Sequence, residues 1–286
     1  MTRISILTPD PADADSFASR WRDVLTGYVP LLEAEGLSVE SRSWTDEDAT
    51  GAALVLPLLA WGYHKAQRAW EARTARWQAE GTVVANPAAV LRWNADKVYL
   101  GRLEEKGAPV VPTLFVDRLS EGVMADAAAR FGTERLVAKP RMSASAWRTI
   151  RWSPGQGVED GPVGPAMIQP YLPSIESAGE VSLIYFAGEF SHAIRKVPQP
   201  GDFRVQPEYR GIISGHLPAD DERAAAEAVL AAVGEPLLYA RIDLVRGAGD
   251  RPLLIEAELI EPDLYIGFEE GAGRRFAAAV AQAAKR

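Results

Sequence analysis

The 286-residue sequence has no cysteine, only three histidines and no apolar run long enough to cross a bilayer. Without cysteine there is no disulfide, no thiolate nucleophile and no thiolate zinc or iron–sulfur site. His64, His192 and His216 are too dispersed for a zinc cluster, so any metal ion must be held by oxygen. Basic side chains are the minority: 31 Lys and Arg against 39 Asp and Glu leave a net charge of −8. That balance argues against nucleic acid or an anionic membrane as partner and leaves a small-molecule substrate. A homodimer is compatible with this composition. The stretch from Met1 to Asp10 turns acidic after one brief apolar run, which predicts no secretory leader and a cytoplasmic protein.

What is present is enough apolar material, 47% of residues, for about two domain-sized folded units. Ile4 to Leu7 reads as a buried strand, followed by an amphipathic helix from about Asp15 to Glu35 that stops at Gly36. Leu37 to Trp44, Ala53 to Leu59 and Thr82 to Ala85 read as further strands, and Tyr63 to Glu80 as a helix with Trp70 and Trp77 on one face. Strands alternating with helices predict parallel pairing, so residues 1–88 form a small open α/β domain. A helix begins at Asn94 as N-cap, places Lys97 in its first turn and ends at Gly107. A helix over Glu121 to Phe131 and a strand over Leu136 to Lys139 lead into a Ser/Ala/Arg loop and a Gly/Pro-rich segment, Ser153 to Pro165, which predicts a lobe boundary. Beyond it strand follows strand: Met167 to Gln169, Val181 to Phe186, Glu189 to Ile194, Ala240 to Val245 and Leu253 to Leu259, with helices over Asp220 to Val233 and about Gly273 to Lys285. Phe186-Ala187-Gly188-Glu189 is a tight-hairpin signal and predicts antiparallel pairing.

The most informative segment pairs Tyr239–Val245 with Leu253–Pro262. Alternation puts Glu256 and Glu258 on one face of the second strand and Ile255, Ala257 and Leu259 on the other. A hairpin centred on Gly249-Asp250 sets Asp243 opposite Glu256 and Arg241 opposite Glu258, all on one surface. Three clustered acids repel, and a hard cation such as Mg²⁺ would neutralise them. The composition is equally compatible with a solvated face balanced by Arg241. Lys139, at a strand end before small residues, suits a phosphate, although an ordinary surface loop has the same pattern. Neither a P-loop nor a dinucleotide fingerprint is present. Ile168 to Pro173 is either an extended segment able to recognise a flat base or a connector. Arg195, Lys196 and Arg204 share one segment of an acidic protein, as an anion site or a solvated loop.

In order, these pieces resemble the ATP-grasp superfamily, in particular its glutathione-synthetase-like and glutamate-ligase-like members, over about residues 86 to 270. The likeness lies in Asn94-Ala95-Asp96-Lys97, Lys139-Pro140, Gln169-Pro170-Tyr171-Leu172, Gly188, Gly201-Asp202-Phe203-Arg204, and Arg241-Ile242-Asp243 with Glu256-Ala257-Glu258. It implies an α/β fold, α+β in its C-terminal part, in which a small N-terminal domain (1–88) precedes a small lobe (89–165) and a C-terminal lobe (166–286) that enclose the nucleotide. Lys97 and Lys139 would contact the ATP phosphates and residues 141–147, with Ser143 and Ser145, would form a lid. The adenine would lie against Gln169, Tyr171 and Leu172, and Glu180 would bind the ribose. Asp243, Glu256 and Glu258 would hold Mg²⁺, or Mn²⁺ in its place. Arg204, Arg241, Arg195 and Lys196 would face the transferred phosphoryl group. Many relatives place Asn where Glu258 stands, and several glycines where this lid is rich in Ser and Ala.

The implied activity is an ADP-forming ligase that activates a small amino-acid-like or peptide carboxylate, or a carbonyl oxygen, as an acyl phosphate for attack by an amine. The stretch from Glu258 to Tyr265 and the compact N-terminal domain are similar to those of cyclo-ligases that close O-ureido-serine into cycloserine. A phosphotransferase and a non-catalytic nucleotide-binding protein are the alternatives. Trp61-Gly62-Tyr63-His64 follows a strand of the first domain, where open α/β sheets carry ligand loops. These residues either line an acceptor pocket or pack the domain contact.

Overall fold

The chain opens with strand β1 (Thr2–Thr8), helix α1 (Trp21–Ala34) and strands β2 (Leu37–Ser43) and β3 (Leu54–Leu56), whose strands form a parallel sheet in the order β2-β1-β3. The computed structural model describes residues 1–13, 20–46, 51–144, 146–199 and 211–285. The apolar run Ile4 to Leu7 makes β1 the buried centre of this sheet, as a strand covered on both faces requires. The helix expected over Tyr63 to Glu80 is divided: a 3-10 turn, Tyr63–Lys65, is followed by helix α2 (Gln67–Glu80), because Ala66 leaves helical dihedrals. The expected strand Thr82 to Ala85 reduces to one bridge, Val55 to Val84.

Helices α3 (Ala88–Asn94) and α4 (Tyr99–Glu105) follow, and they correct the expectation for Asn94. Asn94 ends a helix rather than capping the next one. Its side chain is used elsewhere: Nδ2 donates to the Ala257 carbonyl and Oδ1 accepts from the Leu259 amide, at 2.9 and 3.0 Å. Lys97 therefore lies in the turn between the helices.

Strand β4 (Leu114–Val116), helix α5 (Glu121–Phe131) and strands β5 (Leu136–Pro140), β6 (Ile150–Trp152) and β7 (Ala166–Pro170) form an antiparallel sheet in the order β4-β7-β5-β6. The helix has the expected bounds, and the Ser120 hydroxyl caps it by accepting from the Val123 amide. Strand β7, placed by the sequence after the lobe boundary, pairs with β4 and β5 and so belongs to this sheet.

The rest comprises helix α6 (Ser174–Ser177), strands β8 (Glu180–Phe186), β9 (Glu189–Val197) and β10 (Ile212–His216), helix α7 (Asp220–Val233), strands β11 (Tyr239–Arg246) and β12 (Pro252–Glu258), and helix α8 (Ala272–Ala283). The strands form one antiparallel sheet, β10-β9-β8-β11-β12. The β8–β9 turn is the expected hairpin: Ala187 and Gly188 both have positive φ, 50° and 85°, and glycine adopts the second without a Cβ penalty. Ala226 and Val229 of α7 pack on Leu183, Ile242 and Leu244. Phe276 of α8 joins Tyr28 of α1 to Phe186 and Tyr239, fastening the N-terminal unit to the large sheet. Asn86 reinforces that joint by donating to the Tyr239 and Leu259 carbonyls, each at 2.9 Å. Among the described residues no helix is long and apolar enough to cross a membrane.

Candidate active site

The β11–β12 hairpin has the register that the spacing predicts, Arg241 opposite Glu258 and Asp243 opposite Glu256. A bulge beside Asp243 and Leu244 then shifts the pairing so that Leu254 faces Leu244. Ile255 is thereby turned toward the cavity instead of joining Ala257 and Leu259 behind the sheet, which corrects the simple alternation. These side chains line a cavity of about 1150 Å³ between the small sheet, the large sheet and the N-terminal unit.

Its floor is an alternating network of charges. Asp243, 2% exposed, accepts from Arg241 Nε and Nη2 at 3.0 and 2.9 Å, from Ser182 Oγ at 2.6 Å and from Lys196 Nζ at 3.4 Å. Burial disfavours its charge, but Arg241 and Lys196 outweigh that and hold its carboxyl well below the usual range. Burial and Arg241 would push Lys196 down, yet Asp243 and Glu180 hold it well above the ordinary lysine range; Glu180 accepts from it at 2.6 Å. Arg241 also pairs with Glu258 and donates to the Asp263 carbonyl. Its guanidinium and the Lys196 ammonium lie over the Tyr265 ring, 5.6 and 5.7 Å from the centroid.

Lys97 Nζ is 3.2 Å from Glu256 Oε1 and donates to the Ser143 carbonyl at 2.9 Å, while its backbone amide donates to the Arg141 carbonyl. Arg141 is clamped in turn by Asp96. The start of the segment expected to form a lid is thus tied to the lysine beneath it. Lys139 has no carboxylate within ion-pair distance among the described residues; burial, and then Lys97 beside it, push its amine down against the pull of Glu256 and Glu180. An unpaired cation facing a cavity is suited to an anionic ligand.

One wall is apolar: Val111, Tyr171, Ile175 and Val245 pack with Val137, Leu172 and Ile255. Gln169, 2% exposed, donates from Nε2 to Thr113 Oγ1 at 3.0 Å. Tyr171 donates to Glu176, with the Arg135 guanidinium over its ring. An apolar wall of this kind can take the face of a flat ring.

Lys97, Lys139, Ser143, Gln169, Tyr171, Leu172, Glu180, Lys196, Arg241, Asp243, Glu256 and Glu258 all line this cavity. Arg195 does not. Its guanidinium donates to the Ala178 and Ser177 carbonyls at the end of α6, because neighbouring residues of a strand face opposite ways. Arg204 and Ser145 lie outside the described residues. Trp61, Tyr63 and His64 line the cavity as well, and the two readings of this motif meet in Tyr63, whose ring also packs on Trp70 at 4.8 Å. Ile255, expected on the opposite face, reaches the cavity only through the bulge, and Glu261 lies within the Glu258–Tyr265 stretch without having been expected at the site.

The three acids expected to grip magnesium do not form a ready-made cage. Among the described residues no group of three His, Cys, Asp or Glu is arranged for a metal, since Asp243 is drawn onto Arg241 and Lys196. The donors still fit a hard dication: Glu256 and Glu258 share one face of β12 and offer only oxygen. Local charge is under-compensated there. Burial pushes the Glu258 carboxyl up to about 8, with Asp243 and Glu256 adding to the rise and Arg241 offsetting only part. Glu256 is held low, where Lys97 and Lys139 overcome its burial.

No protein-family profile matches the chain. The cycloserine biosynthesis protein DcsG of Streptomyces lavendulae is 32% identical over 282 residues, spanning 90% of this chain and 93% of that protein. The crystal structure of the D-cycloserine synthetase DcsG superposes with a TM-score of 0.80 at 28% identity over 99% of both chains. D-alanine–D-alanine ligase from Bacillus anthracis shares the fold, with a TM-score of 0.73 at 14% identity over 100% of this chain and 98% of its own. So does the ATP-grasp ligase PsnB in complex with a precursor variant, Mg and ADP, with a TM-score of 0.68 at 17% identity over 99% of both chains. With a full-length relative of this identity and the same arrangement of sheets around one cavity, the chain belongs to the ATP-grasp family of ATP-dependent ligases.

Proposed function

We propose that this chain activates the carboxylate of a small amino-acid derivative with ATP and closes it onto a nitrogen of the same molecule, as a cyclo-ligase acting on an O-ureido-serine-type substrate. The observation that carries this reading is the hairpin register, which sets Arg241, Asp243, Glu256 and Glu258 in the lining of a cavity that Lys97 and Lys139 share. The similarity to a D-cycloserine synthetase supports the substrate class.

In this reading the adenine occupies the apolar wall beside Gln169, Tyr171 and Leu172, with Glu180 at the ribose. Lys97 and Lys139 hold the phosphates beneath residues 141–147. Mg²⁺, or Mn²⁺ in its place, fits at Glu256 and Glu258, with Asp243 joining only if it gives up Arg241 or Lys196, and would supply neutralising charge to the phosphate oxygens. The substrate carboxylate takes the γ-phosphoryl group, giving ADP and an acyl phosphate. Arg241, fixed by Asp243 and Glu258, stabilises the charge that develops on the transferred group, and Arg204 belongs to the same role. The ring nitrogen then attacks the acyl carbon, the C–O bond breaks, and phosphate leaves with its electron pair. With O-ureido-serine the carbamoyl group on that nitrogen is taken up by water: the N–C bond breaks, the ring nitrogen keeps a proton, and carbamate leaves and decomposes to CO₂ and ammonia. The protein supplies positioning and charge, and no protein nucleophile is needed.

Incubation with ATP, Mg²⁺ and O-ureido-serine is expected to release phosphate and a cyclised product, seen by mass spectrometry, and to give a hydroxamate when hydroxylamine is added. A stable phosphorylated substrate without a new C–N bond would establish a phosphotransferase instead. Absence of substrate-dependent phosphate release would leave a nucleotide-binding protein.

A further inference from the structure

Of the eight carboxylates that line the cavity, cations hold six and the Tyr265 amide holds Asp263. Of the two without a cation, Asp263 is exposed and Glu261 is partly buried. Among the described residues only its own backbone amide hydrogen-bonds it. A carboxylate without a cation in a partly buried wall is costly: it takes up a proton, or a cationic ligand supplies the missing charge.

Its position narrows the choice of ligand. Along β12 and the turn after it, Ile255 touches the apolar wall, Glu256 meets Lys97, Glu258 meets Arg241, and Glu261 comes last. Glu261 thus follows the acidic pair in the chain, and its carboxyl is near enough to act electrostatically on Tyr63, which lines the cavity with Trp61 and His64. Without a ligand its carboxyl favours the protonated form. Burial and Glu258 push its carboxyl up to about 8, Glu256 adds to the rise, and Lys97 offsets only part; the neighbouring Tyr63 and Tyr239 phenols are held neutral, mainly by burial.

We propose that Glu261 is the specificity residue that receives the α-ammonium group of the substrate. The inference rests on the proposed function and deepens it. Cyclisation through the carboxylate and a side-chain nitrogen leaves the α-amino group untouched, so that group remains a cation throughout turnover and needs an anionic partner that takes no part in the chemistry. Glu261 separates α-amino acids from plain carboxylic acids of the same length, because a charge-assisted hydrogen bond in a partly desolvated site discriminates strongly against an analogue lacking the donor.

The test is a two-by-two comparison of wild type and Glu261→Gln against O-ureido-serine and its des-amino analogue, 3-(ureidooxy)propanoate. Affinities are read by calorimetry with ADP and Mg²⁺ present, and KM by phosphate release. The substitution is expected to weaken O-ureido-serine at least about 30-fold and to change the analogue less than about threefold. Glu261→Asp should recover part of the loss. The melting temperature of Glu261→Gln should match or exceed that of wild type, which excludes misfolding as the cause. Equal losses for both compounds, or no loss for either, would overturn the ammonium site. Wild-type turnover of O-ureido-serine together with an unchanged KM in Glu261→Gln would remove this inference and leave the proposed function standing. A wild type that acts on neither compound would remove both.

Discussion

The two carboxyls pushed up to about 8, Glu258 and Glu261, make the protein without metal or ligand lose stability as pH rises toward mild alkalinity. Each holds a proton in the folded state that the unfolded chain has already released, since an unperturbed glutamate titrates near 4.3. Stability therefore falls with pH wherever the folded state binds the extra proton. His192 works in the opposite direction, its burial keeping it neutral, but only up to about pH 7, so the window above that value isolates the glutamates. Between about pH 7 and 8 each carboxyl should cost about 1 kcal/mol, and the two together about 2 kcal/mol. For a chain of this size that is a fall of about 5 °C in melting temperature. The assay is thermal unfolding in chelator-treated buffer across that window. Glu258→Gln should remove about half of the slope and the double variant Glu258→Gln/Glu261→Gln nearly all of it, while saturating Mg²⁺ and ADP should flatten it by supplying positive charge. A melting temperature that stays level or rises through the window in the metal-free wild type would refute the reasoning.

Glu256→Gln removes a charge without removing volume and is expected to reduce turnover by at least about a thousandfold while native circular dichroism is kept. Lys139→Met should weaken ATP binding by about tenfold or more in calorimetry, and because the amine has no protein counter-ion it should not lower the melting temperature. Arg195→Ala removes hydrogen bonds to the Ser177 and Ala178 carbonyls, so it should cost about 1 to 2 kcal/mol in denaturant unfolding and leave kcat within about threefold of wild type.

The hairpin could be read from the sequence because strand periodicity and the Gly249-Asp250 turn leave one register that puts the charged side chains on a common face. Helices α5 and α7 were equally legible, each bounded by a glycine with positive φ and, in α5, by a serine cap. What stayed hidden depends on distant partners. Asn94 has the composition of an N-cap, yet its amide serves the edge of β12, more than 160 residues away. The bulge that turns Ile255 inward has no local marker. Strands β6 and β10 are short, and β10 is an exposed edge strand containing serine and glycine, so neither stands out by pattern. Arg195 was grouped with Lys196 by charge, where alternation along β9 separates them: one braces α6 and the other reaches the acids. Glu261 became visible only when every other carboxylate of the cavity had been matched with its partner.

The acidic face of β12 is proposed to hold a divalent cation against the phosphates of a bound nucleotide. Anomalous diffraction at the manganese edge, from crystals grown with ADP and Mn²⁺, addresses it directly. The expected result is a peak within coordination distance of Glu256 and Glu258 beside the nucleotide phosphates, with Lys139 on the phosphates. Nucleotide density without a metal peak at these carboxylates, or a metal bound elsewhere in the chain, would contradict it.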